Sequence, residues 1–189
     1  MDRVSIINHF ISRNNYQSYL EIGVREGHTF QQINCLHKVS VDPAYAPTFK
    51  LTSDEYFAAY PEHRYDLVFI DGLHLANQFV RDVYNSLAAL NTGGTIICHD
   101  ILPHAKCWAG ETQIETRWCG TTWAGWAKLR ATEPNIQQCA VDTDYGIGII
   151  VPGTQQLYTG SNMICWEDYI VNKDLTHLIT EAEFEQLYG

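Results

Sequence analysis

The stretch that decides the fold is Tyr19–Phe30, YLEIGVREGHTF. Together with Ser18, its first residues form a short apolar, β-prone run that ends at Gly23, and the chain turns helical again from Thr29. Gly23 and Gly27 permit a tight turn and a close approach of backbone to a ligand. A strand, a glycine turn and a helix in that order open a βαβ unit. In open α/β sheets ligands bind beyond the carboxyl ends of the strands, where the strand order reverses.

The flanking sequence repeats the alternation. Before the loop, Asp2–Asn14 sets Val4, Ile7, Phe10 and Ile11 at helical spacing. After it, Thr29–Leu36 reads as a helix, and Lys38–Val41 as a strand stopped by Asp42-Pro43. Phe49–Tyr60 reads as a brief strand followed by a helical turn. Tyr65–Ile70 (YDLVFI) is almost wholly apolar, as a strand covered on both faces should be. Asn77–Leu90 carries Phe79, Val80, Val83, Leu87 and Leu90 on a helical repeat, Asn91–Gly94 reads as a turn, and Thr95–Cys98 as a buried strand. Leu102–Gly120 is irregular and aromatic, Trp123–Ala131 is helical, and Ala140–Val141 and Gly146–Val151 form a hairpin-like pair. The tail, Trp166–Tyr188, is polar and helical. These readings predict an α/β, Rossmann-like fold in one domain over residues 1–189. Its sheet is mainly parallel with a C-terminal antiparallel hairpin, and helices lie on both faces.

Composition narrows the partners. With 46% apolar and 18% charged residues, the 189-residue chain can bury a core rather than remain disordered. No run of about 18 apolar residues exists to span a membrane. The start, MDRVSIINHFISRNN, breaks the apolar stretch a signal peptide would need, so the expected location is the cytoplasm. A formal net charge of −10, with 12 scattered Lys and Arg, disfavours nucleic acid and favours a neutral or cationic ligand. The six cysteines (Cys35, Cys98, Cys107, Cys119, Cys139, Cys165) include no C-x-x-C pair and read as buried free thiols.

Two cofactors suit the Gly23 loop. A dinucleotide wants G-x-G-x-x-G, but Arg25 stands at the middle glycine, and the acidic Glu21 precedes the loop. S-adenosylmethionine has no phosphate and carries a cationic amino acid portion, which an acid at Glu21 suits. Asp42, twenty-one residues beyond Glu21, closes the second strand and is placed to accept from both ribose hydroxyls.

Six segments run in order from residue 19 to about 150: YLEIGVREGHTF, VSVDPAY, LTSDEYF, YDLVFIDGLHLANQFVRDV, LNTGGTIICHDILP and VDTDYGIGII. In them the sequence resembles the class I S-adenosylmethionine-dependent methyltransferases, in particular small bacterial and viral-type enzymes associated with glycan modification. The resemblance implies the class I methyltransferase fold and S-adenosylmethionine as cofactor. Glu21 and Gly23 would face its methionine part, Asp42 its ribose, and Ser53 and Asp54 would lie near its adenine. Gly27 and Asp71 would complete the cofactor site.

Asp71 and His74 follow one strand, and His99 and Asp100 follow the next. Neighbouring strands would gather these carboxylates and imidazoles at their tips, where they could share a proton or bind a divalent metal. Catechol-type and antibiotic-sugar O-methyltransferases, which this part resembles, hold magnesium with an Asp after the fourth strand and an acidic pair after the fifth. Asp71 and Asp100 match that pattern, and His99 stands where Asp is usual. His74 falls where the catechol type has a Lys base, and Leu73 where the antibiotic-sugar type has Asp. The resemblance thus implies Asp71, His99 and Asp100 as metal ligands for magnesium or, since imidazole favours softer ions, manganese or zinc; no metal at all stays open. His74 or His99 is expected to take the acceptor's proton, with Asp71 and Asp100 orienting the base or holding an ion that lowers the hydroxyl pKa.

Trp108, Trp118, Trp123 and Trp126, with His104 and Glu111, crowd the segment after Asp100. Flat rings beside polar groups suit a sugar or glycan acceptor. Trp123 and Trp126, three apart on a helix, read as core, and Asp144 and Tyr145 are expected to approach the same pocket. Two other functions compete. Arg25 disfavours an NAD-dependent oxidoreductase, and the Asp/His cluster disfavours a non-catalytic module that only binds a nucleotide-like ligand.

Overall fold

Each central strand sends alternate side chains to opposite faces, and both faces are apolar, so the sheet must be covered twice. In β1 (Ser18–Ile22), Leu20 and Ile22 join one buried cluster and Tyr19 the other. In β3 (Tyr65–Ile70), Val68 and Ile70 oppose Leu67 and Phe69; in β4 (Leu90–Cys98), Ile96 and Cys98 oppose Ile97. Burying one such side chain contributes about 1.5–3 kcal/mol, so leaving either face of these strands uncovered would cost several times that.

The computed structural model describes residues 1–160 and 165–189. Helices α1 (Arg3–Asn14), α2 (His28–Gln32) and α8 (Glu181–Tyr188) cover the Tyr19 face through Ile6, Ile7, Phe10, Phe30 and Phe184. The other face takes α3 (Ser53–Ala59), α4 (Ala76–Ala89), α5 (Thr122–Thr132), α6 (Trp166–Val171) and α7 (Lys173–Thr176). The remaining strands are β2 (His37–Val41), β5 (Ile136–Val141), β6 (Ile147–Pro152) and β7 (Leu178–Ile179). Their order is β2-β1-β3-β4-β6-β5-β7. Among the described residues only β6 runs antiparallel, to β4 on one side and β5 on the other. The chain moves outward from β1 to β2 and then returns to β3 on the opposite side of β1, so the order reverses between β1 and β3. This is the expected Rossmann-like α/β fold with its late antiparallel hairpin.

Several boundaries differ from expectation for identifiable reasons. The helix after the loop stops at Gln32 rather than Leu36, because the Lys38 ammonium bonds the Phe30 and Ile33 carbonyls at 2.8 and 2.9 Å. The brief strand expected at Phe49 is a single bridge to Val41, and a Thr52–Glu55 capping box then starts α3. Asn91–Gly94 is not a free turn but a bulged start to β4. Tyr65 pairs with Leu90 and Leu67 with Thr95, and the Asn91 side chain donates to Asp66 at 2.7 Å. The tail is interrupted by β7, parallel to β5, whose two residues are too few to leave a sequence pattern. Among the cysteines, Cys98, Cys119 and Cys139 are buried, Cys35 and Cys107 half-buried, and Cys165 exposed, so burial holds for three of the six. No helix among the described residues is long and apolar enough to cross a membrane.

Candidate active site

Backbone bonds tie the tips of four strands together. Asp71 N–H donates to the Ile22 carbonyl at 2.9 Å, His99 N–H to the Ile70 carbonyl at 3.0 Å, and Gly23 N–H to the Val41 carbonyl at 2.9 Å. Gly23 has φ +83°, and a Cβ there would overlap the Asp71 carbonyl oxygen, so only glycine lets the two turns stack. The glycine loop after β1 and the loop after β3 are therefore one packed unit.

Glu21, 1% exposed at the tip of β1, has one hydrogen-bond partner among the described residues, the Tyr19 hydroxyl at 2.5 Å. Burial pushes its carboxyl up to about 7 against the pull of that bond. It is a buried acid short of a positive partner. Asp42 is already occupied: its carboxylate accepts from the backbone N–H of Arg25 (2.9 Å), Ala44 (2.8 Å) and Tyr45 (3.3 Å). Burial would raise this group, but those donors outweigh it and hold the pKa below the usual Asp value. A carboxylate has about four acceptor positions. Asp42 therefore has about one acceptor position left for a further donor. The Arg25 N–H bond also explains how a non-glycine residue tolerates φ +50° in this loop.

Ser53 and Asp54, at the start of α3, are drawn to α4 by the Gln78 amide, which donates to Ser53 Oγ at 3.1 Å, Asp54 Oδ1 at 3.2 Å and Asp82 Oδ1 at 2.9 Å. Asp82, missed in the sequence because it sits on an apolar helix face, is buried, which raises its carboxyl to about 6. A cleft of about 570 Å³ opens on the α2 side of the loop, between Val24–Gly27, Phe30 and Tyr45–Thr48. Gly27 lines it, but neither Glu21 nor the Asp/His cluster does.

That cluster does assemble. His99 Nδ1 lies 3.2 Å from Asp71 Oδ1 and 3.4 Å from Asp100 Oδ1, and its Nε2 lies 2.8 Å from the Asp144 carbonyl. His74 sits opposite, with Nε2 3.4 Å from Asp71 Oδ1 and Nδ1 3.3 Å from Asp100 Oδ2 and 3.1 Å from the Trp118 carbonyl. Burial acts against the charged imidazoles, but the aspartates outweigh it: His74 is raised, and His99 lies well above its ordinary value. Against the upward push of burial, the imidazoles in turn hold the half-buried Asp71 well below the carboxylate range. The group contains a residue no motif announced. Arg3, on the first turn of α1, reaches Asp71 Oδ2 at 3.1 Å and clasps Asp144 through Nε (2.8 Å) and Nη2 (2.9 Å).

This arrangement corrects the expected metal set. His99, 4% exposed, has both ring nitrogens facing acceptors, which makes it a donor of two hydrogen bonds and leaves no lone pair for a metal. Asp71, His74 and Asp100 do each offer one ligand atom, all within 4.8 Å of one another. The Arg3 guanidinium already lies on Asp71, however, so the set does not fit a divalent ion without displacing that charge.

The irregular segment closes over His74. Thr121 N–H donates to the His74 carbonyl at 2.8 Å, and a Cβ on Gly120 would overlap that carbonyl. The Trp118 ring lies 5.2 Å from the His74 ring, and Trp108 lies 6.0 Å from Tyr145, which His104 also approaches at 5.8 Å. Trp108, Trp118 and Tyr145 are half-buried and His104 is exposed; Glu111 is exposed on the loop surface. Trp123 and Trp126 are core, their indole N–H groups donating to the Ala109 and Thr176 carbonyls. Tyr169 and Lys173 have the Tyr-x-x-x-Lys spacing that some oxidoreductases use. Tyr169 is fully buried with its hydroxyl on the Ile101 carbonyl at 3.0 Å, so it is a structural residue.

Residues 20–101, from β1 to the residue after His99-Asp100, match the methyltransferase-domain family. None of the curated proteins matches the chain in sequence. Among solved structures, an O-methyltransferase from Bacillus cereus in complex with S-adenosylhomocysteine is similar over 79% of this chain and 80% of its own, at 14% identity and a TM-score of 0.59. A methyltransferase from Podospora anserina bound to S-adenosylhomocysteine covers 82% and 78%, at 19% identity and 0.54. An O-methyltransferase of tomaymycin synthesis from Streptomyces achromogenes, with S-adenosylmethionine, covers 80% and 79%, at 11% identity and 0.53. The fold is that of the class I S-adenosylmethionine-dependent methyltransferases.

Proposed function

We propose that this chain is an S-adenosylmethionine-dependent O-methyltransferase whose acceptor is a small hydroxylated molecule, with a sugar or glycan unit as the preferred class. One observation carries the reading: Asp71, His74, His99 and Asp100 converge at the tips of β3 and β4, packed directly against the Gly23 turn. The cofactors in the similar structures support the donor, and so does the chemistry of the pocket. Glu21 lacks a positive partner that an amino acid ammonium would supply, and Asp42 keeps room for one hydroxyl.

When bound, S-adenosylmethionine supplies an activated sulfonium methyl, so most of the protein's work is positioning. His74 in its neutral form is the base: Nδ1–H donates to the Trp118 carbonyl at 3.1 Å, which fixes the ring and leaves the Nε2 lone pair to take the acceptor's hydroxyl proton as the oxygen attacks. Asp71, 3.4 Å from that Nε2, stabilises the imidazolium that forms. His99, with both nitrogens already donating, holds Asp71 and the Asp144 loop in place rather than moving a proton. Trp118 and Trp108 offer flat faces to the C–H side of a sugar ring, with carboxylates near its hydroxyl edge.

A screen of tritiated-methyl transfer over mono- and oligosaccharides and other hydroxylated small molecules tests the reading. With the acceptor it identifies, His74→Ala is expected to lower turnover about 10²- to 10⁴-fold while S-adenosylhomocysteine affinity is retained. Near-normal turnover in His74→Ala, His99→Ala and the double variant would remove histidine from the chemistry.

A further inference from the structure

Asp71, Asp100 and Asp144 crowd one small volume, and the side chain that compensates them comes from the other end of the chain. Arg3 places four donors on two of these carboxylates: its backbone N–H (3.0 Å), Nε and Nη2 on Asp144, and Nη1 on Asp71. Its side chain is 24% exposed. The terminus is strapped down around it. The Met1 ammonium lies 2.6 Å from Glu181, the Met1 carbonyl accepts from Thr143 at 2.5 Å, and an Asp2–Ser5 capping box fixes the first turn of α1. The loop so held is under strain, because Asp144 (φ +44°) and Tyr145 (φ +61°) are consecutive non-glycine residues in the left-handed region. That loop supplies the carbonyl that holds His99 and the ring that faces Trp108.

We propose that Arg3 is the built-in cation of the reaction centre, a positioning residue that fixes Asp71 and Asp144 and brings the positive charge a divalent ion would otherwise provide. The inference rests on reading the Asp/His cluster as the reaction centre. A guanidinium stays charged at every working pH, and its fork matches a carboxylate in two bonds, so its effect is permanent. A second cation on Asp71 would sit within a few ångströms of it and be repelled.

The test uses the free Mn²⁺ ion as probe, read by electron paramagnetic resonance on the full-length protein, and needs no acceptor. The wild type and Arg3→Lys are expected to bind Mn²⁺ no better than millimolar. Arg3→Gln, which leaves the carboxylates uncompensated, is expected to bind at least about tenfold more tightly, and adding Asp71→Asn should abolish that gain. Sub-millimolar Mn²⁺ binding to the wild type that disappears in Asp71→Asn overturns the proposal, and this result does not depend on whether the Gln variant folds. Arg3→Gln that stays folded by circular dichroism and binds no better than wild type overturns it as well. S-adenosylhomocysteine titrated into the same wild-type sample separates the two readings: failure to bind it counts against the methyltransferase reading and leaves the Mn²⁺ result standing.

Discussion

Replacing Glu21 by Gln should stabilise the protein and weaken its grip on the cofactor, because the carboxylate is buried at the tip of β1 without a positive partner. Its pKa moves from an ordinary 4.5 to about 7 on folding, with burial as the leading cause. The folded state therefore binds the Glu21 proton more tightly than the unfolded chain does. Stability from this group is full below pH 4.5 and is lost as pH rises through 7. At 1.36 kcal/mol per pKa unit the loss by pH 8 is about 3 kcal/mol. Gln keeps the shape and can still accept from the Tyr19 hydroxyl but carries no charge to bury. The ligand-free Glu21→Gln protein should thus melt about 6–12 °C above wild type at pH 8, with the advantage shrinking below about 1 kcal/mol at pH 5. Calorimetric melts across that pH range measure it. S-adenosylhomocysteine affinity should fall about 10- to 100-fold, since the charged hydrogen bond to its ammonium is lost. A variant less stable than wild type at pH 8, or a difference that ignores pH, would refute the argument that Glu21 is an uncompensated buried acid.

Other perturbations probe the packing around the site. Gly23→Ala should cost about 3 kcal/mol or more, since the Cβ meets the Asp71 carbonyl and φ is +83°; a melting temperature within a degree of wild type would show that the two turns do not stack. Trp118→Ala removes the ring beside His74 but not the backbone carbonyl that bonds it. Acceptor KM should rise about tenfold with S-adenosylhomocysteine affinity unchanged in steady-state and calorimetric assays. An unchanged KM would place the acceptor elsewhere.

The strand–loop–helix units were legible because YDLVFI and TIIC are short apolar runs rich in β-branched residues and bounded by turn residues, as strands covered on both faces are, and the Asp or His after each lands where the tips converge. Helix ends were not, since α2 is stopped by a lysine ammonium arriving from β2, a contact with no local signature. The two-residue β7 is defined by its partner rather than by its own sequence. At the site, the four Asp and His residues announced themselves by position after strands. Arg3 could not, because it lies 68 residues from Asp71 and 141 from Asp144 and looks like any surface arginine on an amphipathic helix. The role of His99 was likewise hidden: that it donates from both nitrogens depends on the Asp144 carbonyl, delivered by a strained loop near the end of the sheet. The crowding of the Asp42 carboxylate has the same origin, since its own loop takes three of its acceptor positions.

The most direct test of the account is isothermal titration of the unmodified protein with S-adenosylhomocysteine and, separately, with NAD. The account predicts saturable binding of S-adenosylhomocysteine and none of NAD, with the first signal weakened in Glu21→Gln. Tight binding of NAD with no response to S-adenosylhomocysteine would contradict it.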